Sequence, residues 1–180
     1  MDVFEAIQKR KSNRSYESKP IPKETFEKLL EAARLSPSAK NIQPWHFIVV
    51  TDAEKRKALS KGLYAKFLAE TPAVIVLCGD QKASPDWYVV DVALAGENMV
   101  IAATAEGLGT CWVGSFDEEE VKTMLEIPKD LRVVALMAVG YAKEKVSIKS
   151  KVIQFIRRRK TLSEIASWEV YGHKLESPTA

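Results

Sequence analysis

The stretch "DWYVVDVALAGENMVIAATAEGLGTCWVG", Asp86 to Gly114, decides how the chain is read. Its first twenty or so residues are apolar nearly all round, which in a soluble protein means a helix buried on several sides rather than along one stripe. Gly107 and Gly109 then offer the left-handed geometry that helix ends prefer, and "TCWV" reads as a strand. Asp91, Glu97 and Glu106 interrupt the run, which argues against a membrane span because ionisable groups are costly in hydrocarbon. The stretch therefore predicts a long central or interface helix, about Asp86 to Glu106, leading into a strand.

Working outward, helices and strands alternate. Asp2 and Glu5 have capping-box spacing before a short helix with Val3, Phe4 and Ile7 on one face. Pro22 opens a second helix, with Phe26, Leu29, Leu30 and Ala33 at helical spacing and Pro37 beyond its end. "HFIVVT" and "AVIVLCG" read as short strands, separated by "DAEKRKALSKGLYAKFLAE", which is helical in composition. Asp117 and Glu120 cap another helix, and "RVVALMAVG" supplies a fourth strand. Such interspersion favours a central sheet covered by helices over a bundle or a sandwich. Beyond Gly140 the pattern weakens, so residues 141–180 are expected to form a C-terminal arm lying on another surface, that of a partner subunit.

The chain has 180 residues, 46% of them apolar and 28% charged, which fits one folded domain and excludes disordered and fibrous classes. "MDVFEAIQKRKS" lacks the features of an export signal, so a cytoplasmic location is expected. Cys78 and Cys111 sit singly in apolar runs and are expected to be reduced core residues. With His46 and His173 apart from any ligand cluster, no metal site is expected. Rossmann, Walker and G-x-S-x-G patterns do not occur.

Four stretches carry polar groups in a suggestive order. "RKSNR" groups Arg10, Lys11 and Arg14 around Ser12 at the end of the first helix; cations there suit the helix dipole, or, with the hydroxyl, form a cradle for an anionic cofactor. "SPSAKNIQPW", Ser36 to Trp45, combines stiff prolines with short donors and acceptors, which suits a flat heterocycle or merely punctuates a helix-to-strand connection. "GLGT", Gly107 to Thr110, permits close main-chain approach to a ligand or simply caps the helix. "KSKVIQFIRRRK", Lys149 to Lys160, is a basic tail that reads as a solvated face, a nucleic-acid patch or a phosphate site.

Taken together with "AVGYAKEK" and "RRRKTLSEIASWEVYG", these motifs resemble, in order, those of the FMN-dependent nitroreductase-like oxidoreductase family, over essentially the whole chain. The resemblance implies an α+β fold with a mixed central β-sheet flanked by helices, and an intertwined homodimer with two FMN sites at its interface. By motif position, Arg10, Ser12 and Arg14 would hold the cofactor, with Lys11 adjacent and with Arg157 and Arg159 completing the phosphate site. Pro37, Ser38, Ala39 and Asn41 would come from the opposite subunit to line the isoalloxazine, and Gly109 and Thr110 would approach its reactive edge. Lys61 to Tyr64 offers no asparagine to match a further flavin contact of some relatives.

That resemblance implies an NAD(P)H oxidoreductase working by a ping-pong mechanism on nitroaromatic, quinone or related acceptors, with NADH or NADPH as donor. The redox chemistry would then belong to the flavin, which accounts for the lack of an acid-base pair among the motifs. No catalytic side chain is assigned, and neither nucleic acid nor membrane is expected as a partner. A flavin-binding sensor or carrier without significant turnover is the alternative that the same motifs allow.

Overall fold

β2 (Ala73–Asp80) is buried along almost its whole length, which is why its sequence runs apolar without alternation. In the computed structural model, which describes residues 1–143 and 159–174, this strand lies inside a four-stranded sheet. Its neighbours are β1 (Trp45–Val50) and β4 (Leu131–Gly140), and β3 (Gly109–Val113) pairs with the far side of β4. All three pairings are antiparallel, with a register shift between Leu77 and Cys78. The α+β class is thus as expected, whereas the mixed character of the sheet is reduced, among the described residues, to one isolated parallel bridge between Ser12 and Thr110.

Strand alternation sends side chains to two cores. Val74, Val76, Cys78, Val113 and Leu136 pack with Leu59 of α3 (Ala53–Leu59) and Val121 of α5 (Glu118–Leu125). On the other face, Ile75, Leu77, Met137 and Val139 pack with Leu29 and Ala33 of α2 (Lys23–Arg34) and with Val92, Ala95 and Met99 of α4 (Tyr88–Ala105). Each fully buried Leu, Ile or Val contributes about 1.5–3 kcal/mol, so these two layers dominate stability. Cys78 and Cys111 are free and buried.

The long helix is shorter at its start than the sequence suggests, and Asp91 is among its buried residues. It is not covered all round. Val89, Val90 and Leu94 are exposed on the single chain, as are Val3, Phe4 and Ile7 of α1 (Val3–Lys9), which buries only Ala6. Length and composition would also let α4 cross a membrane, but seven of its residues are packed in the domain core.

The helical composition after Asp52 divides into α3 and a 3-10 turn at Lys66–Glu70. Leu63 and Tyr64 between them are exposed, so no buried face sustains a helix there. Gly107 does take positive φ, +76°, and ends α4. Gly109, expected to share that geometry, is instead the first residue of β3.

The chain divides into compact units Met1–Lys143 and Glu144–Ala180. Residues 141–143 belong to the first, because Glu17 N–H donates to the Tyr141 carbonyl at 2.8 Å and Lys143 N–H to that of Ser15 at 3.0 Å. Within the second unit, α6 (Leu162–Ile165) begins with a capping box of Thr161 and Glu164.

Candidate cofactor-binding site

Asp2 caps α1 by accepting from Glu5 N–H at 2.8 Å, and Arg10 ends the helix by turning to extended ψ, 127°. The chain then runs beside β3. Ser12 bridges Thr110, Asn13 N–H donates to the Thr110 carbonyl at 2.8 Å, and the Asn13 amide donates to the Lys11 carbonyl at 3.1 Å. Tyr16 closes the segment: its hydroxyl donates to the Asn13 carbonyl at 2.6 Å, and its buried ring stacks on Phe67 with centroids 6.5 Å apart. Burial pushes the Tyr16 phenol far up, so it stays a donor at any ordinary pH.

This lacing presents Lys11, Ser12 and Arg14 to solvent and leaves Arg10 half-buried. Beneath them lies the Cys111 thiol, pushed up by burial against the pull of Arg14, the Ser12 hydroxyl and Arg10. Among the described residues, no carboxylate forms an ion pair with Arg10, Lys11 or Arg14. Three cations within five positions, beside a hydroxyl, form a donor set suited to a phosphate.

The proline-bounded loop is built differently. Lys40, Asn41 and Gln43 have φ of 52°, 55° and 53°, a left-handed region that non-glycine residues seldom enter. Ser38 Oγ accepts from Gln43 N–H at 2.9 Å, and Gln43 Nε2 donates to Asn41 Oδ1 at 3.2 Å. Ala39 N–H donates to Asp91 Oδ1 at 3.1 Å, and Asn98 Nδ2 donates to Ser36 Oγ at 2.7 Å, which tie the loop to α4. Pro37 and Asn41 are exposed, with Ser38 and Ala39 half-buried beside them.

Arg10, Lys11, Ser12 and Arg14 are thus gathered with Gly109 and Thr110, while Pro37, Ser38, Ala39 and Asn41 form a separate group. Gly109 and Thr110 are themselves buried, and the side of Gly109 is occupied by Asn13. The loop hangs from Asp91 in the first turn of α4, whereas the basic segment adjoins β3 just past the other end of that helix. Asp91 and Ala105 are fourteen residues apart, about 21 Å of helix. Arg159 is exposed in the second unit, and Arg157 lies outside the described residues. Sequence reasoning passed over Asn13, Tyr16 and Asp91. Only Asp91 carried a signal, since a carboxylate within an apolar helical run needs a partner when buried.

Fold and site together define an α+β protein with two preorganised polar segments, one cationic and one neutral. Residues 7–73 and 58–141 match the profile of the nitroreductase family. A protein of Archaeoglobus fulgidus, provisionally named an NADH dehydrogenase/NAD(P)H nitroreductase, is 38% identical over 151 residues, covering 79% of this chain and 87% of its own. The crystal structure of a nitroreductase family protein from Clostridium novyi NT superposes with a TM-score of 0.75 at 30% identity, covering 97% of each chain. An FMN-dependent nitroreductase from Clostridium difficile R20291 gives 0.73 at 28% identity, covering 86% of this chain and 96% of the other. The chain belongs to the nitroreductase family.

Proposed function

We propose that this protein is a cytoplasmic, homodimeric, FMN-dependent NAD(P)H oxidoreductase acting on nitroaromatic, quinone or related acceptors by a ping-pong mechanism. The observation that carries the reading is the cluster of Arg10, Lys11 and Arg14 around Ser12, without an ion pair among the described residues and fixed to β3 in a chain of this family. The names of two relatives, an NAD(P)H nitroreductase and an FMN-dependent nitroreductase, point the same way.

The residues present fit a flavin phosphate. Arg10 and Arg14 supply charge and forked donors, Ser12 a hydroxyl and Lys11 a further cation; the family resemblance would add Arg157 and Arg159. Bound FMN supplies the redox chemistry, hydride acceptance from NADH or NADPH and then electron delivery to the acceptor. Arg14 places fixed positive charge where it favours an anionic ligand, and the 37–41 loop presents short polar groups to a flat ring.

A site shared by two copies of the chain accounts for a loop held at Asp91, near the start of α4, and a basic segment that adjoins β3 beyond its end. It also gives a role to the exposed apolar groups of α1 and α4, and to Leu162, Ile165 and Trp168 in the second unit. Titrating FMN into folded apo-protein and following NAD(P)H oxidation with a nitroaromatic or quinone tests the proposal. Expected are tight flavin binding, bleaching by nicotinamide and acceptor-dependent reoxidation. Folded protein that binds no flavin overturns the reading, and bound flavin that no nicotinamide reduces leaves only a carrier or sensor.

A further inference from the structure

Asp91 is 2% exposed, yet it does not cap the helix in which it stands. Its carboxylate reaches out of α4, accepting from Ala39 N–H through Oδ1 at 3.1 Å and lying 3.5 Å from Ser84 Oγ through Oδ2. The main chain that it grips then passes through left-handed φ at Lys40, Asn41 and Gln43. Left-handed backbone costs about 1–2 kcal/mol per non-glycine residue, so the surroundings must hold such a loop in shape. The Ser38–Gln43 hydrogen bond acts within the loop, whereas the Ala39–Asp91 bond ties the residue just before the left-handed stretch to α4.

We infer that Asp91 is a positioning residue for the cofactor, fixing through Ala39 N–H the loop that carries Ser38, Ala39 and Asn41. The inference rests on the flavin reading above. Asp91 acts by holding the main chain of the residues assigned to the flavin, and its burial at the positive end of α4 keeps the acceptor in place.

The test compares Asp91→Ala with Asp91→Asn, whose carbonyl still accepts from Ala39 N–H. Amide hydrogen exchange at residues 38–43 is measured in apo-protein, and FMN affinity and the visible circular dichroism of bound flavin in the holoprotein. Asp91→Ala is expected to speed exchange in the loop selectively, to weaken FMN binding about tenfold or more, and to alter the flavin dichroism. Asp91→Asn, which also serves if the alanine variant does not fold, is expected to stay within about threefold of the parent in affinity, with loop exchange unchanged. An alanine variant with the parent's FMN affinity and dichroism overturns the inference, as does an asparagine variant that folds but binds FMN as poorly as a tenfold loss. Parent protein that binds no FMN overturns the functional reading instead, while the exchange comparison still reports whether Asp91 holds the loop.

Discussion

The side-chain amide of Asn13 fills the space that a β-carbon at residue 109 would need: Nδ2 lies 2.5 Å from that position, with the Ala142 methyl 3.1 Å away. The glycine therefore serves the basic segment, by letting Asn13 close onto β3. Gly109→Ala must displace the Asn13 amide from the Lys11 carbonyl. The expected cost is about 1–3 kcal/mol in urea unfolding, as for overpacking. Asn13→Ala introduced beside it should recover part of that loss, and additive single effects would refute direct contact as the cause.

The basic segment gives a prediction with opposite signs. Lys11 and Arg14 lack ion-pair partners among the described residues, so removing either charge relieves repulsion and costs no salt bridge among them. Arg14→Ala should leave the melting temperature of apo-protein unchanged or slightly higher, yet weaken FMN binding roughly tenfold or more, the scale of one charge-assisted hydrogen bond. Calorimetry and fluorescence titration measure the two effects separately. A fall in both would mean that Arg14 supports the fold.

Glu118 is the clearest acid-labile tie. It accepts from Arg132 Nε and Nη2, each at 2.8 Å, and from Val133 N–H at 3.0 Å, joining α5 to β4. Those bonds, the Arg132 hydrogen bond foremost, bring its carboxyl down to about 2 from 4.5. Because the folded value is the lower one, the stabilisation is complete above about 4.5 and is lost as pH falls toward about 2. The unfolding free energy of the parent should therefore lose, across that window, a component that Glu118→Gln lacks. Its slope should stay below the ~1.4 kcal/mol per pH unit of one fully coupled proton, since Arg132 is partly solvated. Urea unfolding at several pH values checks this, and parallel curves for parent and variant would refute it.

Much of this architecture was legible because its signals are local. All four strands follow from β-branched runs, and the caps at Asp2 and Asp117 follow from spacing. The antiparallel order β1-β2-β4-β3 was not legible, since pairing is decided between residues far apart in sequence. Nor was the left-handed path through Lys40, Asn41 and Gln43, which no residue there favours strongly except asparagine and which Asp91, about fifty positions away, helps to hold. The cationic cluster could be read as a motif. What fastens it, Asn13 against Gly109 and Tyr16 beneath, is tertiary.

Val90 and Leu94 stand one turn apart on α4, 44% and 45% exposed, on the side of the helix away from its buried residues Val92, Ala95 and Met99. In the homodimer proposed above, a second copy of the chain would cover that face, and one copy's 37–41 loop would serve the other's basic segment. Leu94→Glu sets a charge against that apolar contact, at a cost of several kcal/mol if it were desolvated, while lying outside the core of its own chain. The parent should run as a dimer by light scattering, and the variant as a folded monomer whose FMN affinity falls at least about a hundredfold, because each site loses the loop from its partner. Circular dichroism separates this result from misfolding. A folded Leu94→Glu monomer that keeps the parent's affinity would show that one chain suffices to hold the flavin, and the shared site would have to be abandoned.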